Sequence, residues 1–320
     1  MTILPCASSC RARIPIGSIR RVAAALLLAS AMSGVAAPMD AAPAPPQGNG
    51  FSNADYDRHL AELKKKIPGA DFTVVIERPF VVIGDESPNT VKLHAEKTVR
   101  WSVTRLKAAF FEKDPANIID IWLFKDKESY EKHARAIFND EPTSPFGYSS
   151  PGHNALIMNI ATGGGTLVHE IVHPFMDADF PACPAWFNEG LASLYEQSIG
   201  KGGRISGLTN WRLPGLKEAI RGKKLMSFES LTHTTADEFY SADSKTHYAQ
   251  ARYLCYYLQE KELLETYYRR FKAESAKDPS GYETLKSVLN ETDMSAFQQE
   301  WEKFVLALRF PDPGGRPEKR

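Results

Sequence analysis

The segment TGGGTLVHEIVHPFM at residues 162–176 contains two histidines four positions apart, with a glutamate directly after the first. On a helix, residues i and i+4 lie on the same face, so His169 and His173 present their imidazoles side by side. Two ring nitrogens with this spacing can bind one zinc ion at about 2.0–2.1 Å. Glu170 lies one position further round the helix, where its carboxylate reaches a metal-bound water rather than the metal. The pattern therefore predicts a zinc site with Glu170 as general base.

A catalytic zinc ion needs a third protein ligand and an open coordination position. The segment CPAWFNEGLASLYEQ at residues 183–197 predicts a helix that opens at Pro184, with Glu189 about one turn inside it. The neighbours of Glu189 on this helix are mostly apolar: Trp186, Phe187, Leu191 and Leu194. Burying a carboxylate among them is costly unless a positive partner pairs with it, and zinc is such a partner. Glu189 is therefore the predicted third ligand.

The predicted metal helix follows three glycines, Gly163–Gly165, and Thr166 is positioned to cap its first turn. The glycine run lacks the lysine and the spacing of a phosphate-binding P-loop, so it predicts a flexible turn. Pro174 follows the second histidine and removes one backbone hydrogen bond from the helix. Only fifteen residues separate His173 from Glu189, which requires a tight turn between the two helices.

The first half of the chain alternates helical and strand patterns, and the segment at residues 118–124 is apolar on both faces. Such a strand is expected in the centre of a sheet. In chain order we predict a helix that ends at Pro68-Gly69, two β-branched strands in residues 72–85 interrupted at Arg78-Pro79, a helix at 90–111, the strand at 118–124, a helix at 126–138, a loop at 139–152 and a strand at 154–160.

The second half of the chain shows no clear strand pattern, and residues 246–308 predict three or four amphipathic helices. The predicted fold class is therefore α+β: an N-terminal mixed β-sheet with helices, followed by an all-helical C-terminal half. Within the predicted domain at residues 52–310, an α/β lobe at 52–182 carries the metal helix and a helical lobe occupies 183–310. The site lies between the two lobes.

The residues HEIVH, followed by PAWFNEGLASLYE, resemble the gluzincin metallopeptidases, and in particular the bacterial peptidase MA-like family. The resemblance covers roughly residues 70–270 and is strong at 166–197. It implies a zincin-like fold, one Zn²⁺ per chain bound by His169, His173 and Glu189, and Glu170 as the base. These are the roles that residue chemistry predicts separately. The resemblance also implies that the strand at 154–160 pairs with an extended substrate backbone.

A zinc hydrolase also needs a donor for the oxyanion of its tetrahedral intermediate. The segment THYAQARYLCYYL resembles the helix on which gluzincin aminopeptidases carry a catalytic tyrosine, which makes Tyr248 the candidate and His247 the second choice. A tyrosine in the first turn of a helix also commonly serves packing. Ser193 and Asp177 each follow a predicted ligand by one turn, and orientation of that ligand and surface capping explain either residue equally well.

The N-terminal segment has the three parts of a secretory signal: arginines at 11, 13, 20 and 21, an apolar run at 22–31, and small residues up to 37. We predict a signal peptide at 1–37, a flexible linker at 38–51 and a disordered tail at 311–320. The protein would then be extracytoplasmic, periplasmic or secreted, with no stable membrane insertion after signal removal. A twin-arginine signal and an uncleaved anchor are the alternatives.

Composition excludes a polyanion partner, because no block of lysine or arginine follows the predicted signal. Removing residues 1–37 takes away four arginines and no acidic residue, which turns the balance of 39 basic and 39 acidic residues into a net charge of about −4. Cys6 and Cys10 leave with the signal. Cys183 and Cys255 remain, and both a disulfide and free buried thiols are compatible with the sequence.

The sequence thus predicts a secreted or periplasmic zinc peptidase whose partner is a peptide or protein substrate, not a nucleic acid. One alternative is a catalytically weak, zinc-stabilised binding or scaffold protein, and another is a zinc amidase that acts on cell-wall peptide. The chain has no row of aromatic residues for glycan binding. It also lacks the glycine-rich motif by which aminopeptidases bind the free N-terminus of a substrate, because the corresponding segment GHNALIMN contains no acidic residue. These absences favour an endopeptidase.

Overall fold

A computed structural model describes residues 50–241 and 243–310 of the chain. The predicted signal peptide at 1–37, the linker up to residue 49 and the tail at 311–320 lie outside these residues. Across the described ranges, no helix combines the length and the apolar composition that a membrane crossing requires.

A five-stranded mixed sheet forms the centre of the N-terminal half. Its strands are β1 (Thr73–Glu77), β2 (Phe80–Gly84), β3 (Ile119–Phe124), β4 (Gly147–Ser150) and β5 (Ala155–Asn159). Their order in space is β1-β2-β3-β5-β4, in which β2, β3 and β5 are parallel and the outer strands are antiparallel to their neighbours. Strand β3 is central and buried along its whole length, which confirms the prediction from its two apolar faces. Strand β4 lies in a segment that was predicted to be a loop.

Helices cover both faces of this sheet, and side chains alternate between the faces along each strand. On β2, Val81 and Ile83 belong to the core under one face, while Phe80 and Val82 belong to the core under the other. The first face is covered by α1 (Asn53–Leu63) and α4 (Lys127–Phe138). The second is covered by α2 (Pro88–His94), a π-helical stretch at Ala95–Arg100, α3 (Trp101–Ala109) and α5 (Gly165–Asp179).

The C-terminal half consists mainly of helices. They are α6 (Ala185–Leu194), α7 (Leu213–Arg221), α8 (Phe228–Thr232), α9 (Ala236–Phe239), α10 (Ser244–Glu260), α11 (Leu264–Glu274), α12 (Tyr282–Leu289) and α13 (Met294–Ala307). The prediction that this half is all-helical is wrong at one place, because β6 (Ser198–Lys201) and β7 (Arg204–Gly207) form an antiparallel hairpin. Its two turn residues, Gly202 and Gly203, both have positive φ, the conformation that a two-residue hairpin turn requires.

One hydrophobic core extends through both predicted lobes, since residues of the sheet and of helices α5 to α13 belong to the same packed cluster. Helices α6 and α10 pack closely at Gly190. A Cβ atom at this position would lie 3.1 Å from the Ala251 backbone and 3.1 Å from Cys255 Sγ. Cys255 is buried and Cys183 is partly buried, and both are free thiols, so no disulfide joins them in this structure.

Candidate metal centre

Helix α5 carries the HEIVH motif and runs without a break from Gly165 to Asp179, although Pro174 lies inside it. The residue before the helix is Gly164, and no side chain caps the first turn. The predicted cap by Thr166 is therefore wrong, because Thr166 already lies within the first turn. Over the motif the helix is largely buried, with Leu167, Ile171 and Val172 fully inside the core. This packing fixes the direction in which the two histidines project.

Helix α6 brings Glu189 to the same point, and the structure therefore places all three predicted ligands together. One nitrogen of each imidazole and one carboxylate oxygen of Glu189 lie within 4.8 Å of one another. Glu189 Oε2 is 3.2 Å from His169 Nε2 and 3.9 Å from His173 Nε2. A tetrahedral ion with bonds of about 2 Å spaces its ligand atoms by about 3.3 Å, so small adjustments would give metal geometry.

The unsatisfied atoms of this group also fit a metal ion. His173 Nε2 and Glu189 Oε2 are buried and have no hydrogen-bond partner among the described residues. Buried polar atoms normally have partners, so two orphaned atoms that face a common point need an explanation. Two imidazoles and one carboxylate form a donor set suited to a divalent cation. A bound cation would satisfy both atoms.

The other nitrogen of each imidazole faces an acceptor on or just after helix α6. His173 Nδ1 is 2.9 Å from Asn188 Oδ1, within a hydrogen bond, and His169 Nδ1 is 3.4 Å from Glu196 Oε1, an ion-pair distance without hydrogen-bond geometry. Such partners orient metal-binding imidazoles and select the tautomer that leaves Nε2 free for the metal. Asn188 directly precedes Glu189, and Glu196 follows it by two helical turns. The spacing of both residues could have suggested these roles in the sequence.

Glu196 is itself held by two residues from the segment that precedes α7. Arg212 donates to both of its carboxylate oxygens, at 2.6 and 3.1 Å, and Asn210 Nδ2 donates to Oε2 at 3.0 Å. Ser193, by contrast, has a buried hydroxyl without a hydrogen-bond partner in the described part of the chain, and Asp177 makes no hydrogen bond to either histidine. The sequence reasoning assigned no role to Ser193 or Asp177, and it missed Glu196, Arg212 and Asn210.

One tyrosine contacts a predicted ligand, and a second packs beside the first. Tyr240, at the end of α9, donates a 2.7 Å hydrogen bond to Glu189 Oε1, which leaves Oε2 directed towards the imidazoles. Tyr248, the predicted oxyanion donor, is mostly buried, with its ring 6.2 Å from that of Tyr240. The Arg212 guanidinium lies 5.2 Å from the centre of the Tyr248 ring.

His247, the second choice as oxyanion donor, has its Nδ1 atom 3.0 Å from the backbone oxygen of Phe239. Sequence reasoning missed Tyr240, and the catalytic role of Tyr248 stays a prediction.

Negative charge dominates the electrostatics around the imidazoles. Burial lowers the pKa of His169, but the carboxylates of Glu189, Glu196 and Glu170 outweigh this effect and raise its pKa to about 10. Burial raises the pKa of Glu189, but His173 and His169 more than compensate and hold it at about 2. The field that would keep a proton on His169 also favours a divalent cation in the same place.

Glu170 differs from the other carboxylates of the site. It is fully buried, and neither of its carboxylate oxygens has a hydrogen-bond partner among the described residues. Burial raises the pKa of Glu170, while the two neighbouring histidines act in the opposite direction. A carboxylate with no structural partner and a raised pKa can accept and release a proton, as a general base must.

The strand at this edge of the sheet is β4, not β5 as the resemblance implies. Strand β5 pairs with β3 on one side and with β4 on the other, so both of its edges are occupied. The expectation that the segment at 154–160 pairs with substrate is therefore wrong. The outer strand is β4, which pairs only with β5 within the described sheet.

The chain matches no protein-family model, and no curated protein matches it either. The resemblance to the gluzincins thus depends on the motif residues themselves.

Proposed function

We propose that the protein is an extracytoplasmic zinc peptidase of the gluzincin type, with a zincin-like fold. The observation that carries this proposal is the position of Glu170. Its buried carboxylate has no hydrogen-bond partner among the described residues, and it directly follows His169, whose ring lies within reach of His173 and Glu189. A site built only to hold a structural metal has no need of a further buried carboxylate without a hydrogen-bond partner. The extracytoplasmic location is supported by the signal pattern at residues 1–37 alone.

In this proposal His169, His173 and Glu189 hold the metal and leave one coordination position open. A bound zinc ion would act as a Lewis acid on the scissile carbonyl and lower the pKa of a water molecule to about 7. Glu170 takes a proton from the attacking water and passes it to the departing amine, so that one water and one peptide bond give a carboxylate and an amine. Tyr248 is the proposed donor to the oxyanion.

The remaining residues of the site keep the reacting groups in position. The Tyr240 hydroxyl donates a hydrogen bond to Glu189 Oε1, and Asn188 Oδ1 bonds to His173 Nδ1. Glu189 and His173 therefore each have a single atom left for the metal. Strand β4 is the outer strand of the described sheet, and an extended peptide can add to such a strand by main-chain hydrogen bonds. This arrangement supports a polypeptide substrate.

The decisive experiment combines metal analysis with digestion of a peptide library by the purified protein. We expect one zinc ion per chain and cleavage of peptides, with cleavage lost and zinc retained in Glu170→Gln. Glu128→Gln is the matched control, because Glu128 is an exposed glutamate on α4, remote from the ligands in sequence. Wild-type cleavage by Glu170→Gln would contradict the assigned base.

Two other outcomes would replace the proposal with one of its alternatives. One zinc ion per chain without cleavage of any peptide would favour the zinc-stabilised scaffold protein. Hydrolysis of cell-wall peptide amides without cleavage of the library would favour the amidase. Failure of the wild-type protein to bind zinc, or zinc binding by Glu189→Gln as tight as that of the wild type, would contradict the assigned metal centre.

A further inference from the structure

A cavity of about 190 Å³ lies beside the predicted metal centre, on the side of His173. Helix α5 contributes His173 and Asp177 to its lining, and the sheet contributes Ser149 of β4 and Leu156 of β5. A single water molecule needs about 10–15 Å³ of such volume, so the cavity holds several water-sized groups. That is enough for the side chain of a long amino acid.

Asp177 is the only acidic residue that lines this cavity within the described part of the chain. It lies four residues after His173, on the same face of α5 and about 6 Å further along the helix axis. Its side chain is exposed and forms no hydrogen bond or ion pair with any described residue. The rest of the lining consists, apart from His173, of small, apolar or amide side chains: Pro115, Ala116, Asn117, Ile119, Asn154, Ala155 and others.

The cavity also has the right position for a substrate side chain. Ser149 and Leu156 are opposite each other in the pairing of β4 with β5, so the outer strand of the described sheet forms part of the cavity lining. Side chains of an extended peptide alternate, and those on one face recur about every 6.6–6.8 Å. A peptide aligned along β4 and bound at the metal would therefore direct one side chain towards His173 and Asp177.

We propose that this cavity is a subsite for a lysine or arginine side chain of the substrate, with Asp177 as the residue that determines the preference. The inference rests on the proposed peptidase function. The apolar lining packs against the methylene stem of such a side chain, and the unpaired carboxylate receives the charged end. An acidic substrate residue would meet like charge at Asp177 and be rejected.

The test uses amino-acid hydroxamates, which bind a metal centre without turnover, and measures their dissociation constants by calorimetry on the zinc-loaded protein. Lysine hydroxamate and norleucine hydroxamate have the same stem and differ in the terminal ammonium. We expect the lysine compound to bind about tenfold more tightly. Asp177→Asn should bring the two affinities together by weakening the lysine compound alone. Asp57→Asn, an exposed aspartate on α1, is the matched control and should keep the tenfold ratio.

A charge reversal sharpens the test. Asp177→Lys should bind glutamate hydroxamate more tightly than lysine hydroxamate. In the peptide library, the wild-type protein should require a basic residue at one constant position relative to the cleaved bond. Equal binding of the lysine and norleucine compounds to the wild type, including no binding of either, would overturn the subsite. So would an unchanged ratio in Asp177→Asn. Because hydroxamate binding needs no turnover, a protein that shows the tenfold ratio but cleaves nothing would contradict the peptidase and leave the subsite standing.

Discussion

Helix α5 buries two carboxylates in opposite ways. Glu170, in its middle, has no hydrogen-bond partner for either oxygen among the described residues. Asp179, at its end, is equally buried and fully bonded. Its Oδ1 accepts from two backbone N–H groups and its Oδ2 from a hydroxyl and an ammonium; the donors are Glu112 and Lys113 at 3.2 Å, Tyr268 at 2.6 Å and Lys272 at 2.7 Å.

The difference separates a carboxylate that stabilises the fold from one that is available for chemistry. Burial alone raises the pKa of both groups. At Asp179 the bonds from Lys272 and Tyr268 outweigh burial and lower its pKa, whereas burial prevails at Glu170. A buried group without partners costs stability, and such groups concentrate at functional sites. The contrast on one helix therefore supports a catalytic role for Glu170 and a structural role for Asp179.

The largest expected effect comes from Glu170→Gln. If Glu170 acts as general base, kcat/KM falls by about 10²–10⁴-fold, which is about 3–5 kcal/mol in the activation barrier. The free energy of unfolding should not fall, because the substitution removes a buried charge and breaks no hydrogen bond. Peptide hydrolysis and denaturant unfolding of the same preparation measure both quantities. A marked loss of stability would mean that Glu170 has a structural partner after all.

Asp179→Asn should show the opposite behaviour. The substitution leaves Lys272 near a neutral amide and should lower the free energy of unfolding by about 3 kcal/mol. Zinc affinity and the kcat of the folded protein should stay at their wild-type values, since Asp179 lies ten residues after His169 and contacts none of the three ligands. Urea unfolding with and without a chelator checks this. A stability within about 0.5 kcal/mol of wild type would contradict the structural role.

Glu196→Gln tests whether the carboxylate next to His169 Nδ1 serves metal binding, or only stabilises the fold as Asp179 does. Glu196 faces His169 Nδ1 and is bound by Arg212, so loss of its charge should weaken the orientation of that imidazole. We expect zinc affinity to fall by about 10–100-fold, or about 1.4–2.8 kcal/mol. Competition with a zinc-binding dye measures the change, and Glu128→Gln should leave the affinity unaltered.

The smallest expected effect is a change in acid sensitivity. Because the pKa of Asp179 is lower in the folded protein, the unfolded chain binds more protons as the pH falls below about 5. Asp179 therefore contributes stability above about pH 4, and this contribution is lost as the pH falls through its folded pKa. The free energy of unfolding of Asp179→Asn should depend less on pH between about 5 and 3, by at most about 1.4 kcal/mol per pH unit. Parallel curves for the two proteins would contradict the lowered pKa.

The residues that the sequence predicted correctly are those whose relation is local. His169 and His173 share one face of a helix through their spacing alone, and the apolar neighbours of Glu189 indicated a buried carboxylate. The buried pattern of β3 likewise identified a central strand. In each case one element contains the whole signal.

The features that sequence reasoning missed depend on contacts between distant segments. Tyr240 lies 51 residues after Glu189, and no periodicity connects its hydroxyl with that carboxylate. Strand β4 is four residues long and contains glycine and serine, so its pairing with β5 provides the order that its own composition does not. The hairpin β6–β7 did have a local signal in its two glycines, which the helical reading of the second half overlooked.

The close contact at Gly190 has a consequence for how the cleft can open. Helices α6 and α10 approach so tightly there that even a methyl group would push against the Ala251 backbone. Glu189 and Tyr248 lie on these two helices, and the close packing at Gly190 restricts the movement of one helix relative to the other. We therefore expect any movement that admits a substrate or releases a product to occur on the side of the cavity that the short strand β4 lines. In the proposed peptidase, helices α6 and α10 would keep Glu189 and Tyr248 aligned while the edge of the sheet moves to admit the peptide.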